Sequence, residues 1–591
     1  MKLTGNILRG MIVCLVVLAI GSCTDKFDEY NTDKTQPDSK LTDKELPGLL
    51  STGQLQMTNW YHTNGNRMRQ ILISHNAGYE TYLANMASER NVQNFSYQNT
   101  GWSGQWTAYN MFLRILPVTK PESAERAIAV VNKIFTMQLI TDVWGPIPFN
   151  DAGDVLAKEP RYESQRTVYY KMLKEIAIAS GYLKKALDNN QTTTAYGTGD
   201  MIYDGNVEKW YRFCNTLWLR MAMRISNVEP QKAKTEGEKA LATGMFCETP
   251  AHSAWINHWE TCLQDNGICR YTGQWGSVMS TSTESYLKGY KDPRLNVFFR
   301  TVKAGADPDD GIICVTTAMK PETQAKVGGI YGLPSGIPQI FAIDEIYKSH
   351  SRYGELFSAK RARIQHEGVA MAAEAWFLRA EAAVKGWAGA GVAKTNYDNG
   401  IACSLKDWIP TITQTAIDAY INGTTTPITP EKIDYSYLGG NFKSYNWSTD
   451  PPVATLPVKF SSNTADQLEQ IHIQKWISTW HNASESWAER RRTRLPKIYK
   501  KKSSDNTYID LASNMIQTRC QFVSNEKTTN RTQVVEAIKL LGVGASQIEQ
   551  DLENIPLWWD INSNGSIAPG NFSSEPADPL AGWDPVALWE R

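Results

Sequence analysis

The chain has no excess of charge of either sign. It carries 61 basic and 61 acidic residues, which gives a net charge of zero with neutral histidines. Proteins that bind nucleic acid usually present a basic patch to the phosphate backbone. The balance therefore argues against a nucleic-acid partner. The length of 591 residues leaves room for two or three average domains or for one large helical array.

Sequence patterns that signal common catalytic and metal centres are also missing. The eight histidines include no His-x3-His pair, and no Cys-x2-Cys occurs, so no zinc site is indicated. Neither the Gly-x-Ser-x-Gly turn of serine hydrolases nor a phosphate-binding Gly-x4-Gly-Lys-Ser/Thr loop is present. We therefore expect no catalytic residue, no metal and no cofactor.

Glu374 and Glu381 form a carboxylate pair that invites a catalytic interpretation. They lie seven residues apart on one face of a predicted helix, and paired carboxylates are the catalytic groups of glycosidases. However, the helix is rich in alanine and also carries Arg379, which favours structural ion pairs. We expect a protein that is not an enzyme, and a hydrolase is the least favoured alternative.

Long apolar runs are confined to the N-terminus. Lys2 and Arg9 precede a ten-residue apolar segment at 11–20, about half of the roughly 20 residues that a membrane-spanning helix needs. Residues 19–23 then read Ala-Ile-Gly-Ser-Cys, which are the small residues and the cysteine of a lipobox. The pattern predicts a signal peptide over residues 1–22 and a lipid-modified Cys23.

The lipid would hold the mature protein at a membrane, because each buried methylene contributes about 0.8 kcal/mol and several acyl chains bind durably. Residues 23–45 are acidic and polar and predict a flexible tether. No later stretch is long and apolar enough to cross a bilayer, so we expect residues 46–591 to form one tethered domain. Seven cysteines remain beyond Cys23, an odd number, and Cys262 and Cys269 could pair.

Apolar residues at helical spacing dominate this remainder. Residues at i, i+3, i+4 and i+7 share one face of a helix. Such sets are Ala124, Ala127, Ile128, Val131 and Phe135; Tyr169, Met172, Leu173 and Ile176; Trp210, Cys214, Leu217, Trp218 and Met221; and Ile473, Trp476 and Ile477. Ala373, Phe377 and Ala380 follow the pattern of the second helix of a tetratricopeptide unit. We predict an all-α fold of tetratricopeptide-like helices with long ligand-binding loops.

Two short motifs have structural interpretations. Gly145 and two prolines follow Trp144 and predict the end of a helix, with Asp142 bonding nearby backbone N–H groups. Arg294, in an Asp-Pro-Arg sequence, predicts a bidentate pair with a buried carboxylate.

Aromatic residues are abundant, with 20 Trp and 26 Tyr, and some fall outside the helical patterns. Segments rich in Gly, Pro, Ser and Thr at 188–206, 247–283, 301–340 and 422–466 predict functional loops. A pyranose offers an apolar C–H face that flat rings match, and hydroxyls that amides and charged groups satisfy. The candidate ligand-binding residues are Tyr82, Trp102, Trp259, Tyr271, Trp275 and Tyr331.

Eight short motifs follow one another along the chain. They are 27–31 (Phe-Asp-Glu-Tyr-Asn), 139–149 (Leu-Ile-Thr-Asp-Val-Trp-Gly-Pro-Ile-Pro-Phe), 200–206 (Asp-Met-Ile-Tyr-Asp-Gly-Asn), 215–220 (Asn-Thr-Leu-Trp-Leu-Arg), 292–295 (Asp-Pro-Arg-Leu), 373–382 (Ala-Glu-Ala-Trp-Phe-Leu-Arg-Ala-Glu-Ala), 474–476 (Gln-Lys-Trp) and 487–493 (Trp-Ala-Glu-Arg-Arg-Arg-Thr). Each is weak alone, but in this order they resemble the SusD/RagB group of outer-membrane lipoproteins, particularly its second SusD-like branch.

The resemblance implies a superhelix of tetratricopeptide-like helix pairs with a loop-rich ligand face. It also implies a partner, a TonB-dependent β-barrel of the SusC type, over whose mouth the protein would lie at the outer-membrane surface. The expected function is the capture of oligosaccharides for import. Some RagB-like relatives carry peptides, so peptide capture is the alternative. Peptides would favour exposed backbone groups and charged pockets, whereas the Trp-rich loop at 247–283 favours a glycan.

The lipobox generates a direct prediction. Cys23→Ala removes the thiol that carries the lipid, so the variant should lose acylation and leave the membrane fraction. Fractionation of cells that lack the barrel partner measures this. A variant that still pellets with outer membranes in such cells would contradict the lipobox interpretation.

Overall fold

Helices account for most of the structure, as the apolar spacing predicts. The computed structural model describes residues 41–58, 83–85, 95–153, 157–257, 277–306, 314–334, 348–354, 366–431, 451–479, 482–500, 518–543, 550–561 and 578–590. Within these ranges the helices are α1 (Leu46–Thr58), α2 (Phe95–Ile115), α3 (Ala124–Trp144), α4 (Gln165–Asp188), α5 (Val207–Arg224), α6 (Pro230–Ala242), α7 (Thr281–Gly289), α8 (Leu295–Phe298), α9 (Pro321–Gln324), α10 (Ala373–Val384), α11 (Ala393–Trp408), α12 (Gln414–Ile421), α13 (Thr464–Ser478), α14 (Ala483–Thr493), α15 (Ser524–Thr529), α16 (Arg531–Lys539) and α17 (Pro585–Trp589).

Four short strands accompany these helices in the described ranges. They are β1 (Leu83–Asn85), β2 (Ala254–Asn257), β3 (Ser277–Met279) and β4 (His366–Ala370). β1 pairs with β3 and β2 pairs with β4, both antiparallel, so each pair joins parts of the chain that are distant in sequence. The predicted all-α fold class is confirmed, because the four strands have only three to five residues each and the helices dominate the described ranges.

The helices stack in sequence order. α2 packs on α3, α3 on α4, α4 on α5 and α5 on α6, as the helix pairs of a tetratricopeptide array do. A second group forms around α10, which packs on α11 and α13 and also contacts α5. Phe377 on α10 lies against Gly400 on α11, where an added Cβ would stand 2.8 Å from the ring. The small residue therefore permits the close approach that the alanine-rich pattern predicts.

α3 shows how the sequence sets the ends of a helix. Ser123 caps its N-terminus by accepting the N–H of Arg126. At the C-terminus Gly145 adopts a φ of 92°, which L side chains rarely adopt, and donates its N–H to the carbonyl of Thr141. The predicted helix end at Trp144 is confirmed.

Nine charged side chains from five helices meet inside the protein, and we call this group the ion network. Its members are Asp142 on α3; Arg220 and Arg224 on α5; Glu374 and Glu381 on α10; Lys475 on α13; and Glu485, Glu489 and Arg492 on α14. All nine are buried. Four cations thus face five carboxylates in a space from which water is largely excluded.

The two carboxylates of α10 are bound tightly within the ion network. Arg220 donates to both oxygens of Glu374, at 2.7 and 2.5 Å. Arg492 donates to both oxygens of Glu381, at 2.8 and 2.7 Å. The structural ion pairs predicted for these glutamates are therefore present, but Arg379 is not their partner. Arg379 pairs with Glu248 at 2.6 Å instead.

Asp142 corrects a second expectation. Its carboxylate accepts the hydroxyl of Tyr169 at 2.5 Å and the indole N–H of Trp559 at 3.0 Å, rather than backbone N–H groups of the turn. Burial raises its pKa to about 6, although nearby Arg224 opposes the shift. Asp142 thus links the end of α3 to the C-terminal region. The bidentate pair predicted for Arg294 does form, and its partner is Asp292.

Trp102 corrects a third expectation, because it does not present a platform to solvent. Only 6% of the residue is exposed. Its ring contacts Trp106 and Trp144 edge to face, with centroids 5.4 and 5.3 Å away, and is nearly parallel to Tyr162. The face of α2 that carries Trp102 turns towards α3, so the ring belongs to the core.

Residues 1–45 and Leu46–Arg591 form two separate units. The boundaries of the signal peptide and the tether stay predictions, and Cys23 lies outside the described ranges. Among the described helices none has both the length and the apolarity that a bilayer crossing requires. Burial raises the pKa of the Cys247 and Cys520 thiols to about 12, which keeps both protonated at neutral pH.

The ion network predicts a large cost for the loss of one carboxylate. Glu381→Gln should lower the free energy of unfolding by about 3–5 kcal/mol, because a buried Arg492 loses its bidentate partner. Glu536→Gln is the matched control, since Glu536 forms an exposed pair with Lys539 and should cost about 0.5 kcal/mol or less. Urea titration followed by circular dichroism measures both values.

The same variant has a defined pH dependence. Burial disfavours the ionised form of Glu381, but the charge and the hydrogen bonds of Arg492 favour it more strongly. The pKa of Glu381 is therefore about 2, below its ordinary 4.5. The ionised group therefore stabilises the fold above pH 4.5, and this contribution disappears as the pH falls towards 2. The difference between wild type and Glu381→Gln should shrink across that window. A difference that stays constant would contradict the ionised pair.

Trp102 generates a separate prediction. Trp102→Ala should lower the free energy of unfolding by about 3–5 kcal/mol, because the ring leaves a cavity between α2 and α3. Thermal unfolding measures the loss. A variant that melts like wild type but no longer binds ligand would restore the platform interpretation.

Candidate functional site

Three extended segments are hydrogen-bonded to one another, and one of them contains β3, the partner of β1. Leu333 donates its N–H to the carbonyl of Met279 at 2.8 Å, and Met279 donates to that of Ser351 at 2.8 Å. Ser351 in turn donates to the carbonyl of Tyr331 at 2.9 Å. With Leu83 opposite Met279 in the β1–β3 pair, residues 83–85, 277–280, 331–334 and 349–353 form one unit, which we call the strand framework.

The strand framework lies at the ends of the predicted ligand loops. Tyr82 directly precedes β1 in sequence, and Trp275 stands two residues before β3. Trp259 follows the end of β2 by two residues, and Tyr271 lies between them. These four aromatic residues lie outside the described ranges, so their contribution to a ligand site stays a prediction.

Tyr331 is the predicted site residue that the structure both describes and leaves half-buried. It lies on the strand framework, and its N–H donates to the hydroxyl of Ser351 at 3.0 Å. Lys326 holds its ammonium 4.3 Å from the centre of the tyrosine ring, and Lys288 holds its ammonium at 5.6 Å. Burial raises the pKa of Tyr331, and the carboxylates of Glu431 and Glu284 raise it further.

Each lysine beside Tyr331 has a carboxylate partner. Lys326 pairs with Glu431 at 3.2 Å, and Lys288 pairs with Glu284 at 2.7 Å. The four charges of these two pairs sum to zero. We call these five residues the tyrosine clamp.

The sequence pattern indicates Tyr331 as a ligand-binding residue but not the other four members of the tyrosine clamp. Glu284 and Lys288 are four residues apart, a spacing at which opposite charges meet on a helix, so their pair had a weak local signal. Lys326 and Glu431 are more than a hundred residues apart in sequence. Nothing local indicated that they meet.

Trp255 belongs to β2 rather than to an isolated loop. Its ring contacts that of Trp408 edge to face, with centroids 5.9 Å apart, and Trp408 meets Phe298 at 5.2 Å. The three rings attach β2 to α8 and α11. They meet edge to face and are not arranged as a row of parallel platforms.

One trio of side chains in the described ranges has the composition of a metal site. Glu381, His472 and Glu489 place one ligand atom each within 4.8 Å of the others. Arg492 already lies among them and donates to Glu381 at 2.7 Å and to Glu489 at 2.8 Å. Burial lowers the pKa of His472 to about 4, so the ring is neutral. The guanidinium supplies the positive charge that a metal would bring, and the trio does not fit a metal.

Comparison with protein families gives one match over nearly the whole chain. Residues 29–560 match the model of the SusD-like family, described as Susd and RagB outer membrane lipoprotein. A comparison with curated protein sequences returns no match.

Several solved structures share the fold of this chain. A chitin-binding SusD homologue from Flavobacterium johnsoniae superposes with a TM-score of 0.73 at 26% identity, over 88% of this chain and 99% of that one. A SusD-like protein from Bacteroides thetaiotaomicron gives a TM-score of 0.70 at 25% identity, over 88% and 100%. A further chitin-binding protein, at 20% identity and a TM-score of 0.65 over 88% and 100%, shares the fold.

The family match covers the first motif, 27–31, from residue 29 and the other seven motifs completely. The solved relatives share the fold of stacked helices. The chain therefore belongs to the SusD-like family of outer membrane lipoproteins.

Proposed function

We propose that this protein captures oligosaccharides at the outer-membrane surface and delivers them to a TonB-dependent barrel of the SusC type. The observation that carries the proposal is the tyrosine clamp, whose half-buried aromatic ring lies on the strand framework. The predicted aromatic loops adjoin this framework in the sequence. A neutral sugar would stack on such rings and donate its hydroxyls to polar groups around them. The absence of net charge in the clamp agrees with a neutral ligand.

Chitin is the first ligand class to test, because a relative of 26% identity is a chitin-binding protein. Chitin oligosaccharides carry no charge and combine apolar ring faces with amide groups. They thus match both the tyrosine ring and the sequence at 257–274, which contains the side-chain amides of Asn257, Asn266 and Gln274 and the carboxylate of Asp265.

The role is binding and not catalysis. The carboxylates that resembled a glycosidase pair, Glu374 and Glu381, each lie in a bidentate bond with a buried arginine. A general acid needs a proton to give, and Glu381 with a pKa of about 2 is ionised at neutral pH. The lipid at Cys23 would hold the protein beside the barrel, to which the ligand is passed.

Calorimetry with chitin oligosaccharides tests the proposal. Tyr331→Ala, Trp259→Ala and Trp275→Ala should each weaken binding, because truncation of an aromatic anchor costs about 2 kcal/mol, or roughly thirtyfold in affinity. Their melting temperatures should stay near that of wild type. Trp218→Ala is the core control, since Trp218 is buried on α5, and it should lower the melting temperature.

Unchanged affinity in all three variants would move the ligand site elsewhere on the molecule. Retention of peptides and not of glycans by the wild type would favour the peptide-capture alternative. New reducing ends that disappear in Glu374→Gln would overturn the binding role.

A further inference from the structure

Glu284 is a buried carboxylate on α7 that the proposed ligand contacts do not include. Only 1% of the residue is exposed. One of its oxygens accepts the backbone N–H of Gly332 at 2.8 Å, and the other accepts the ammonium of Lys288 at 2.7 Å. Both oxygens are thus engaged, and neither partner belongs to the ion network.

Both bonds of Glu284 lead to the residues that flank Tyr331. Gly332 follows Tyr331 directly. Lys288 donates a second bond from its ammonium to the carbonyl of Ile330 at 2.9 Å, and Ile330 directly precedes Tyr331. The peptide groups on either side of the tyrosine are therefore fixed to the same carboxylate, one directly and one through a lysine.

The approach of this segment to α7 is unusually close. A Cβ on Gly332 would stand 2.3 Å from the carbonyl oxygen of Ser280, the residue that caps α7. Only glycine fits there, and the close approach brings the Gly332 N–H within reach of Glu284.

The segment that carries Glu431 is also attached to α7. The backbone N–H of Glu431 donates to the carboxylate of Glu284. Ile428 donates its N–H to the carbonyl of Ser285 at 3.1 Å, and the Ser285 hydroxyl donates to the carbonyl of Ile428 at 2.5 Å. The segment that supplies Glu431 to the tyrosine clamp is thereby attached to the same helix.

We propose that Glu284 is a positioning residue that sets the orientation of Tyr331 for the ligand. It does not touch the ligand; it acts through Gly332, Lys288 and Glu431. The inference rests on the proposed function of Tyr331 in glycan capture. It adds a residue on which affinity depends although it is buried beneath the site.

A carboxylate suits this role better than an amide does. All the partners of Glu284 are donors, and a carboxylate is acceptor-only, whereas the side chain of glutamine has one acceptor oxygen and one donor NH2 group. In Glu284→Gln the NH2 group would face either Lys288 or the Gly332 N–H, donor against donor. One of the two bonds must break, and one of the peptide groups beside Tyr331 is released.

A double-mutant cycle with chitin oligosaccharides in calorimetry tests the proposal. Glu284→Gln should weaken binding about tenfold in the wild-type background. It should have no further effect in the Tyr331→Ala background, because the ring that it positions is gone. Lys288→Met removes the bonds of the ammonium to Glu284 and Ile330 and its contact with the Tyr331 ring, but leaves the bond between Gly332 and Glu284 in place; it should also weaken binding through Tyr331. Glu536→Gln, which removes an exposed glutamate on α16, is the matched control and should change neither affinity nor exchange.

Amide hydrogen exchange of the unliganded protein gives a second readout. Residues 330–332 should exchange faster in Glu284→Gln, while the core helices α3 and α5 keep their protection. A merely structural role would instead lower protection throughout the protein. If Glu284→Gln does not fold, Lys288→Met carries both measurements.

The outcomes separate the two proposals. Additive losses in the cycle, or unchanged exchange at 330–332, would overturn the positioning role. If Tyr331→Ala leaves glycan affinity unchanged while Glu284→Gln still accelerates local exchange, the ligand site at Tyr331 fails, and with it the role of Glu284 in binding, although Glu284 would still hold the segment.

Discussion

The ion network is the interaction on which the arrangement of the helices depends. A charge transferred from water to the interior loses solvation worth several kcal/mol, and this loss is offset only where partners of opposite charge meet it in good geometry. Here four cations and five carboxylates from α3, α5, α10, α13 and α14 supply that geometry to one another. A shift of one helix along another would leave a buried charge without its partner. The network therefore selects one register among the many that apolar faces alone would permit.

Hydrogen bonds and strand pairing connect the helices of the ion network to the candidate site. Helix α10 follows β4, and Asn482 at the start of α14 donates to the carbonyl of Val369 within that strand at 3.1 Å. β4 pairs with β2, whose last residue precedes the aromatic loop at 258–276. The strand framework at the other end of that loop bears Tyr331, held through Glu284 and α7. The strands next to the predicted ligand loop are thus connected by hydrogen bonds to the helices of the scaffold.

The two groups of charged side chains differ in burial: the ion network is buried, whereas Glu431 in the tyrosine clamp is exposed. In the ion network, cations from three helices bind carboxylates that lie mostly on other helices, and the result is a fixed scaffold. In the tyrosine clamp, two modest pairs surround a half-buried ring and leave it electrically neutral. A neutral, partly exposed aromatic surface is suited to a ligand that carries hydroxyls and C–H faces.

Features that depend on local pattern could be predicted from the amino-acid sequence alone. Apolar spacing predicted the helices, Gly145 and its prolines predicted the end of α3, and the ordered motifs predicted the family. These signals are local because helix periodicity and turn chemistry involve residues close in sequence. The partner that each charge takes and the side of each helix that is covered depend instead on how the helices pack. Arg379 lies on the same helix as Glu374 and Glu381 but binds Glu248, and Trp102 turns inward because Trp144 and Tyr162 fill the space beside it. A period places a side chain on a face, but what covers that face comes from chain segments far away in sequence.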